Sequence, residues 1–429
     1  MPYLIASYHV DIDVAEGGRA CITFREARKN LKKLGYSKLA LSYTKVYYMN
    51  DCGGYETFQK SNGMALDERL GTMYALVNPR PGERILDVGC GRGELTYALS
   101  RTGAHVVGVD YSKDAIQIAT STYPSDDKCQ FICNDIFKMS DLETFDKVVM
   151  ADIVEHIEQD VLEKIFSKIS SSLHPRGMLV VHTAPNQEYY DYAYPEIKEK
   201  AANYGLYMPK EPRSYYEQCM HINEQTPGKL ELALQKYFKF VKVWTGDIQS
   251  IDEEKTEEER HWDNQIYALA CHTECILSDC MCSMVKRPNL DACKVEIEGP
   301  DSVEVIWGSD DTYLDLIVKN IGQEEFSSFR KYPIYLCYHI CEGENTLVFD
   351  GERAAIIPSI KPGEERAARV YVKLPKQLQK GTSYRIVCTL VAENCFWFDQ
   401  DGENLKNINL TVIEPNSNGA PSISHTRRK

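Results

Sequence analysis

Arg84-Ile85-Leu86-Asp87-Val88-Gly89-Cys90-Gly91-Arg92-Gly93-Glu94 is the stretch from which the rest of the chain can be read. Ile85, Leu86 and Val88 give an apolar strand, the glycines alternate through the turn, and Glu94-Leu95-Thr96-Tyr97-Ala98-Leu99 opens a helix. A strand, a glycine turn and a helix bring backbone N–H groups and a helix N-terminus against a ligand. Glycine is needed where a side chain would block that approach or where φ is positive. A dinucleotide fingerprint would run G-x-G-x-x-G, but here the third glycine comes one residue early and Asp87 sits in the strand end. A P-loop would need Gly-Lys-Ser/Thr, which is absent. A structural turn and a different nucleoside ligand remain, and the motifs that follow separate them.

Val106-Val107-Gly108-Val109 ends at Asp110, 21 residues past Gly89. An acid about 20 residues beyond the turn, on the tip of the next strand, can accept from both ribose hydroxyls. A carboxylate suits a diol because it offers acceptors only. A capping or surface aspartate is the plain alternative. Phe131-Ile132-Cys133-Asn134-Asp135-Ile136 is a third strand end, where Asn-Asp is also ordinary turn chemistry. Phe145 to Ala151 reads as a buried strand delivering Asp152, with Glu155-His156 next. A helix over about 160–173 and a strand Met178–Thr183, ending at Ala184-Pro185-Asn186, complete the series.

Together these motifs resemble the class I S-adenosylmethionine (SAM)-dependent methyltransferases, whose first motif is close to D-x-G-x-G-x-G, over about residues 76–275. The resemblance implies a Rossmann-like, doubly wound α/β domain with a seven-stranded sheet, and SAM as cofactor. It implies cofactor contacts from Asp87, Gly89, Cys90, Gly91 and Gly93, from Asp110 and Tyr111 near the ribose, from Asp135 and Ile136 near adenine, and from Asp152 at the cofactor edge. Glu155-His156-Ile157 with Thr183-x-Pro185-Asn186 looks like the branch that methylates oxygen or nitrogen on small molecules and sugars. The alternation of strands and helices from about 84 to 183 fits a parallel sheet, with strands near Val241–Trp244 and Gln265–Cys271 completing it.

Residues 1–75 precede this domain. Thr23 to Leu39 has helical spacing, with Ala27, Leu31 and Leu34 on one face. Tyr43, Tyr47, Tyr48 and Tyr55 surround a Gly53-Gly54 hinge. Two readings stand side by side: a lid with Tyr48 and Tyr55 near SAM, or aromatics that pack the extension onto the sheet. The domain 76–285 carries an insertion, 187–229, rich in Tyr, Pro and Glu as an acceptor-binding segment would be, and His221 precedes a Thr226-Pro227 helix start.

Methyl transfer is an in-line displacement, so the acceptor atom must be held close to the methyl group. A hydroxyl acceptor gains from a general base, most often His. The candidates are His156, His221 and His182, with Glu155 as orienting group or proton acceptor. His182 also reads as a strand-end structural histidine. A metal at Glu155 and His156 is the competing use of that pair, but no closed ligand set is evident in the sequence, so no metal is expected.

At 429 residues the chain is too long for one ordinary domain. Its net charge of −14 argues against nucleic acid as a partner, since phosphate binding wants a basic footprint. No run approaches the length of a membrane span and no signal segment is visible, so a cytoplasmic protein with free thiols is expected. Residues 247–263 carry eight acids against Lys255 and Arg260 and read as a solvated, mobile loop. Cys271, His272, Cys275, Cys280 and Cys282 do not match a common zinc spacing and read as ordinary thiols.

Residues 292–413 change character. Alternating runs Ser302–Trp307, Tyr313–Lys319, Ile334–Ile340, Arg369–Leu374, Tyr384–Val391 and Asn407–Val412, separated by turn signals, argue an antiparallel β-sandwich. Val348 to Arg353, Ile360 to Glu364, Gly381 to Arg385 and Phe396-Trp397-Phe398 resemble an immunoglobulin-like domain of the kind attached to bacterial enzymes of surface-polysaccharide synthesis. That resemblance implies a sugar or glycan hydroxyl as acceptor. The alternatives are a small-molecule O- or N-methyltransferase whose sandwich makes a homodimer, and a non-catalytic SAM-binding scaffold. Phe396, Trp397 and Phe398 read as sandwich core rather than a sugar platform, and 414–429 as a disordered tail.

Overall fold

The computed structural model describes residues 11–14, 18–21, 43–139, 142–213 and 215–414. The helix expected at Thr23–Leu39 and the tail beyond Glu414 lie outside them. Asp11–Val14 and Gly18–Cys21 pair antiparallel. The chain forms two compact units, Met1–Lys286 and Arg287–Lys429.

The first unit is built on seven strands: β1 (Arg84–Val88), β2 (His105–Asp110), β3 (Cys129–Cys133), β4 (Phe145–Ala151), β5 (Leu173–Thr183), β6 (Phe240–Thr245) and β7 (Ile266–Cys271). Their order is 3-2-1-4-5-7-6. Strands β1 to β5 run parallel, while β7 is antiparallel to both β5 and β6. This is the doubly wound, mostly parallel sheet expected from sequence. The order reverses between β1 and β4, so a crevice opens at the carboxyl ends of those strands.

The helices of this unit are α1 (Lys45–Asn50), α2 (Tyr55–Ser61), α3 (Glu68–Val77), α4 (Glu94–Ser100), α5 (Lys113–Thr122), α6 (Gln159–Ser172), α7 (Tyr194–Asn203), α8 (Tyr215–Met220), α9 (Pro227–Gln235), α10 (Glu257–Arg260) and α11 (Glu274–Val285). Helix α6 shows why they form where they do. Leu162, Ile165, Phe166 and Ile169 recur at helical spacing, are buried, and share one core with Leu86, Val88, Val148 and Met150 of the sheet and Leu230, Ala233 and Leu234 of α9. Helix α9 starts where Thr226 accepts from the Lys229 N–H at 3.1 Å with Pro227 at the first helical position.

Two local expectations are corrected. The strand expected at Met178–Thr183 starts earlier, at Leu173, taking in Pro175-Arg176-Gly177, and its register against β4 shifts between Phe145 and Lys147. The acidic segment 247–263 is not a bare loop. A full capping box joins Thr256 and Glu259, Lys255 pairs with Asp263 at 2.8 Å, and Ile251 is fully buried. Apolar anchoring and local pairing outweigh the mutual repulsion of the acids.

The second unit is β-rich. Val295–Glu298, Asp311–Asn320 and Glu365–Lys373 form one sheet. Ser302–Ile306, Leu405–Ile413, Ser383–Ala392, Ile334–Glu342 and Asn345–Val348 run in that order through the other, with Ala354–Ala355 and Phe396–Trp397 paired to it. One core holds Leu314, Leu316 and Val318 from the first sheet and Leu336, Ile386 and Leu410 from the second, with the alternation that a half-buried strand requires. Phe398 is fully buried in that core, while Trp397 lies beside His339 and under Arg353.

Candidate functional site

A cavity of about 780 Å³ opens in the crevice at the carboxyl ends of β1, β2 and β4. Its floor is the glycine turn. Gly89, Gly91 and Gly93 have φ of 74°, 53° and 89°. A Cβ on Gly89 would stand 2.4 Å from Ile153 Cδ1, whereas one on Gly91 would meet Tyr48 Cε1 at an ordinary 3.7 Å. Gly91 is therefore where the backbone lies open to a ligand. Gly93 departs from expectation: a Cβ there would lie 2.7 Å from the Phe131 ring, so it is a packing glycine at the start of α4 and not a wall of the cavity.

Asp110 binds this turn from the neighbouring strand, accepting from the Gly91 N–H at 3.0 Å and the Ser112 N–H at 2.8 Å. Burial raises its pKa against those two bonds. Asp87 accepts from Thr96 Oγ1 at 2.6 Å, and burial pushes it up to about 7. Cys90 is buried, which holds its thiol well above the usual range. Asp135 and Ile136 line the far wall, with Asp135 accepting from the Phe137 N–H at 3.0 Å, and Tyr111 lies beside them.

Asp152 sits at the cavity edge with φ of 50°, a left-handed conformation that Asp tolerates better than most residues. His182 Nδ1 donates to Asp152 Oδ1 at 2.6 Å, and Arg69 of α3 pairs with the other oxygen. His182 is fully buried behind Asp152, with Nε2 2.8 Å from Gln265 Oε1, and it does not line the cavity. Burial, then the Arg69 charge, lowers its pKa to about 4. His182, expected among the catalytic candidates, thus reaches the cavity only through Asp152.

Glu155, His156 and His221 also line the cavity. Val154–His156 is a single 3-10 turn after β4. Met220 and Asn223 hold it, His156 Nδ1 donating to Met220 O at 3.2 Å and the Asn223 N–H to Glu155 O at 3.0 Å. Glu155 Oε2 accepts from Thr183 Oγ1 at 2.7 Å, and its other oxygen lies 3.7 Å from His156 Nε2. The two imidazoles meet edge to face with centroids 4.8 Å apart. Burial pushes Glu155 up to about 7, and burial with the His221 charge lowers His156 to about 3. Glu224, held by Arg213 at 2.7 Å, stands 3.8 Å from His221 Nδ1. Among the described residues, Glu155, His156 and His221 are the one group of three whose potential ligand atoms lie within 4.8 Å of one another.

Tyr48 lines the cavity and Tyr55 does not. The Gly53-Gly54 turn, with φ of 75° at Gly54, redirects the chain before Tyr55 opens α2. Tyr43 and Tyr47 line it instead, Tyr43 packing edge-on against both Tyr111 and His156. Sequence reasoning missed Arg69, Glu224 and Arg92. No motif marks the first two, and Arg92 stands between two glycines of a motif whose pattern leaves its position unspecified.

Residues 85–177 match a family described as "Methyltransferase domain". The ubiquinone biosynthesis O-methyltransferase of Bradyrhizobium diazoefficiens is 34% identical over 105 residues, 24% of this chain and 40% of that protein. The enzyme of the same name from Coxiella burnetii is 29% identical over 147 residues, 34% of this chain and 60% of that one. A demethylmenaquinone methyltransferase of Clavibacter sepedonicus is 28% identical over 133 residues, 31% and 50%. The chain thus spans less than two thirds of the length of these relatives. Among solved structures, a TehB-like SAM-dependent methyltransferase from Corynebacterium glutamicum aligns with a TM-score of 0.36 at 15% identity, over 53% of this chain and 99% of that one. The matched residues 85–177 include the glycine turn, Asp110, Asp135 and the Glu155–His156 pair of the cavity just described.

Proposed function

We propose that this chain is a SAM-dependent methyltransferase acting on a hydroxyl of a small, largely apolar molecule. The observation that carries the reading is that one cavity joins the glycine turn, Asp110 and Asp135 to the Glu155–His156–His221 cluster. The donor set fits the cofactor. Gly91 is open to close approach, Asp110 keeps acceptor capacity for a diol, and Asp135 with Ile136 offers an acceptor beside an apolar contact. The names of the relatives favour a small-molecule acceptor over the sugar or glycan expected from the C-terminal resemblance.

SAM supplies an electrophilic methyl group when bound. The protein's part is to hold an acceptor in line and to accept its proton. His156 gives its Nδ1–H to Met220, so Nε2 faces the cluster as an acceptor. Its depressed pKa makes it a weak base that aligns the hydroxyl. Glu155, poised near neutral pH, takes the proton in concert with His221. Tyr43, Tyr47 and Ile157 line the approach and exclude water.

The test is transfer of labelled methyl from SAM to two separate pools, phenolic and quinol-type small molecules and a glycan-precursor extract, with Asp110→Ala alongside. Label in the small-molecule pool, lost in the variant, is expected. Label in glycan alone would overturn the acceptor assignment.

A further inference from the structure

We propose that Arg92, the free position of the glycine turn, is the catch of a cofactor cover formed by residues 43–53. The inference rests on the reading that SAM occupies this cavity.

Arg92 is 3% exposed, borders the cavity and reaches with its guanidinium into the N-terminal segment. Nη1 donates to Tyr48 O at 2.7 Å and to Cys52 O at 3.3 Å, and Nη2 donates to Gly53 O at 2.7 Å. Glu94 braces the guanidinium at 2.8 Å from Nε, and the Phe58 ring lies 5.2 Å beneath it. The planar fork of an arginine can satisfy several carbonyls at once, which an ammonium cannot do in the same geometry. The carbonyls it binds lie at the end of α1, where a cation is also favoured by the helix dipole.

The other end of the segment is tied separately. Ser112 Oγ donates to Tyr43 O at 2.9 Å, and the Lys45 N–H donates to Asp114 at 2.7 Å. The two fastenings sit just beyond the ends of β1 and β2, beside Gly91 and Asp110. Between them the segment lays Tyr43, Tyr47 and Tyr48 along the cavity. Tyr48 lies over Gly91 because the backbone that carries it is held by the residue after Gly91. The cover and the cofactor floor are therefore one unit when Arg92 is engaged, and cofactor exchange requires the catch to open. Arg92 is a positioning residue: it acts through Tyr48 and not on the reacting atoms.

The experiment is hydrogen exchange on the full-length chain, with and without saturating S-adenosylhomocysteine (SAH), for the wild type, Arg92→Lys and Arg92→Gln. SAH dissociation rates are measured in parallel. In the wild type, amides of 44–53 should exchange faster than those of 84–88 and slow by about tenfold with SAH, the scale of losing or gaining charge-assisted hydrogen bonds. In Arg92→Lys, exchange at 44–53 and the SAH off-rate should both rise about tenfold, with 84–88 unchanged and Arg92→Gln more severe. A wild-type segment 44–53 protected as strongly as 84–88 without SAH would overturn the proposal, and this comparison needs no variant to fold. So would a faster off-rate in Arg92→Lys with no change in exchange at 44–53, which would make Arg92 a direct ligand. Failure of the underlying reading shows differently: the wild type would give no heat of SAH binding, while the exchange of 44–53 would still respond to Arg92→Lys.

Discussion

Glu155 carries the pH dependence of the proposed chemistry. Its folded pKa of about 7 stands above the ordinary 4.5, so the protonated form is favoured in the folded protein. Stability from this group is complete below about 4.5 and is lost as pH rises through about 7. Glu155→Gln should therefore gain stability relative to wild type at pH 8, on the order of 3 kcal/mol, and none at pH 4, measured by chemical denaturation. The same variant should lower kcat by roughly 10²–10⁴ and remove the acid limb near pH 7 from the rate profile. An unchanged limb would move the proton to another group. Asp110→Ala should weaken SAM binding by roughly 10–100-fold in titration calorimetry, the loss of charged acceptors for a diol. Because the proposed proton route runs through Glu155 and His221, with His156 only aligning the hydroxyl, and calls on no bound ion, activity is expected to survive EDTA. Loss on chelation, restored by a divalent ion, would instead assign Glu155, His156 and His221 as ligands.

At the scale of elements, the strands and helices around the glycine turn were legible because each has a local signature. The apolar run of β1, the helical spacing of α6 and the Thr226-Pro227 start of α9 all fall within a residue or two of expectation. Thr226→Ala removes the cap on the Lys229 N–H and should cost about 1 kcal/mol in denaturant unfolding. What the sequence hid was contact between distant segments. Arg69 reaches Asp152, and Arg92 reaches Tyr48, across 83 and 44 positions, and neither distance leaves a periodic trace. The fate of His182 was hidden for the same reason, since only the fold reveals that Asp152 stands in front of it. The acidic segment 247–263 misled in the opposite direction, because its charge count concealed a capping box and a buried isoleucine.

At the scale of the molecule, the two units have separate cores. The β-rich unit buries its own cluster, including Leu410, which is fully buried. Leu410→Ala should cost roughly 2–5 kcal/mol in the unfolding of that unit. Calorimetry should show that transition falling while methyl transfer by the first unit keeps its rate. A matching fall in activity would tie the two units energetically. Among the described residues no helix is long and apolar enough to cross a membrane.

Trp244 of β6 stacks on Tyr267 at 5.3 Å, Tyr267 lies 4.6 Å from His182, and His182 holds Asp152 at the cavity edge. Of the four tryptophans Trp244 is the most buried, 4% exposed, while Trp397 is half-buried and Trp262 and Trp307 are 41% and 51% exposed. The chain thus contains its own optical reporter. The short-wavelength edge of its indole emission should come from a ring linked by contact to the edge of the cavity, so occupancy of the cavity can be followed by light without attaching a dye.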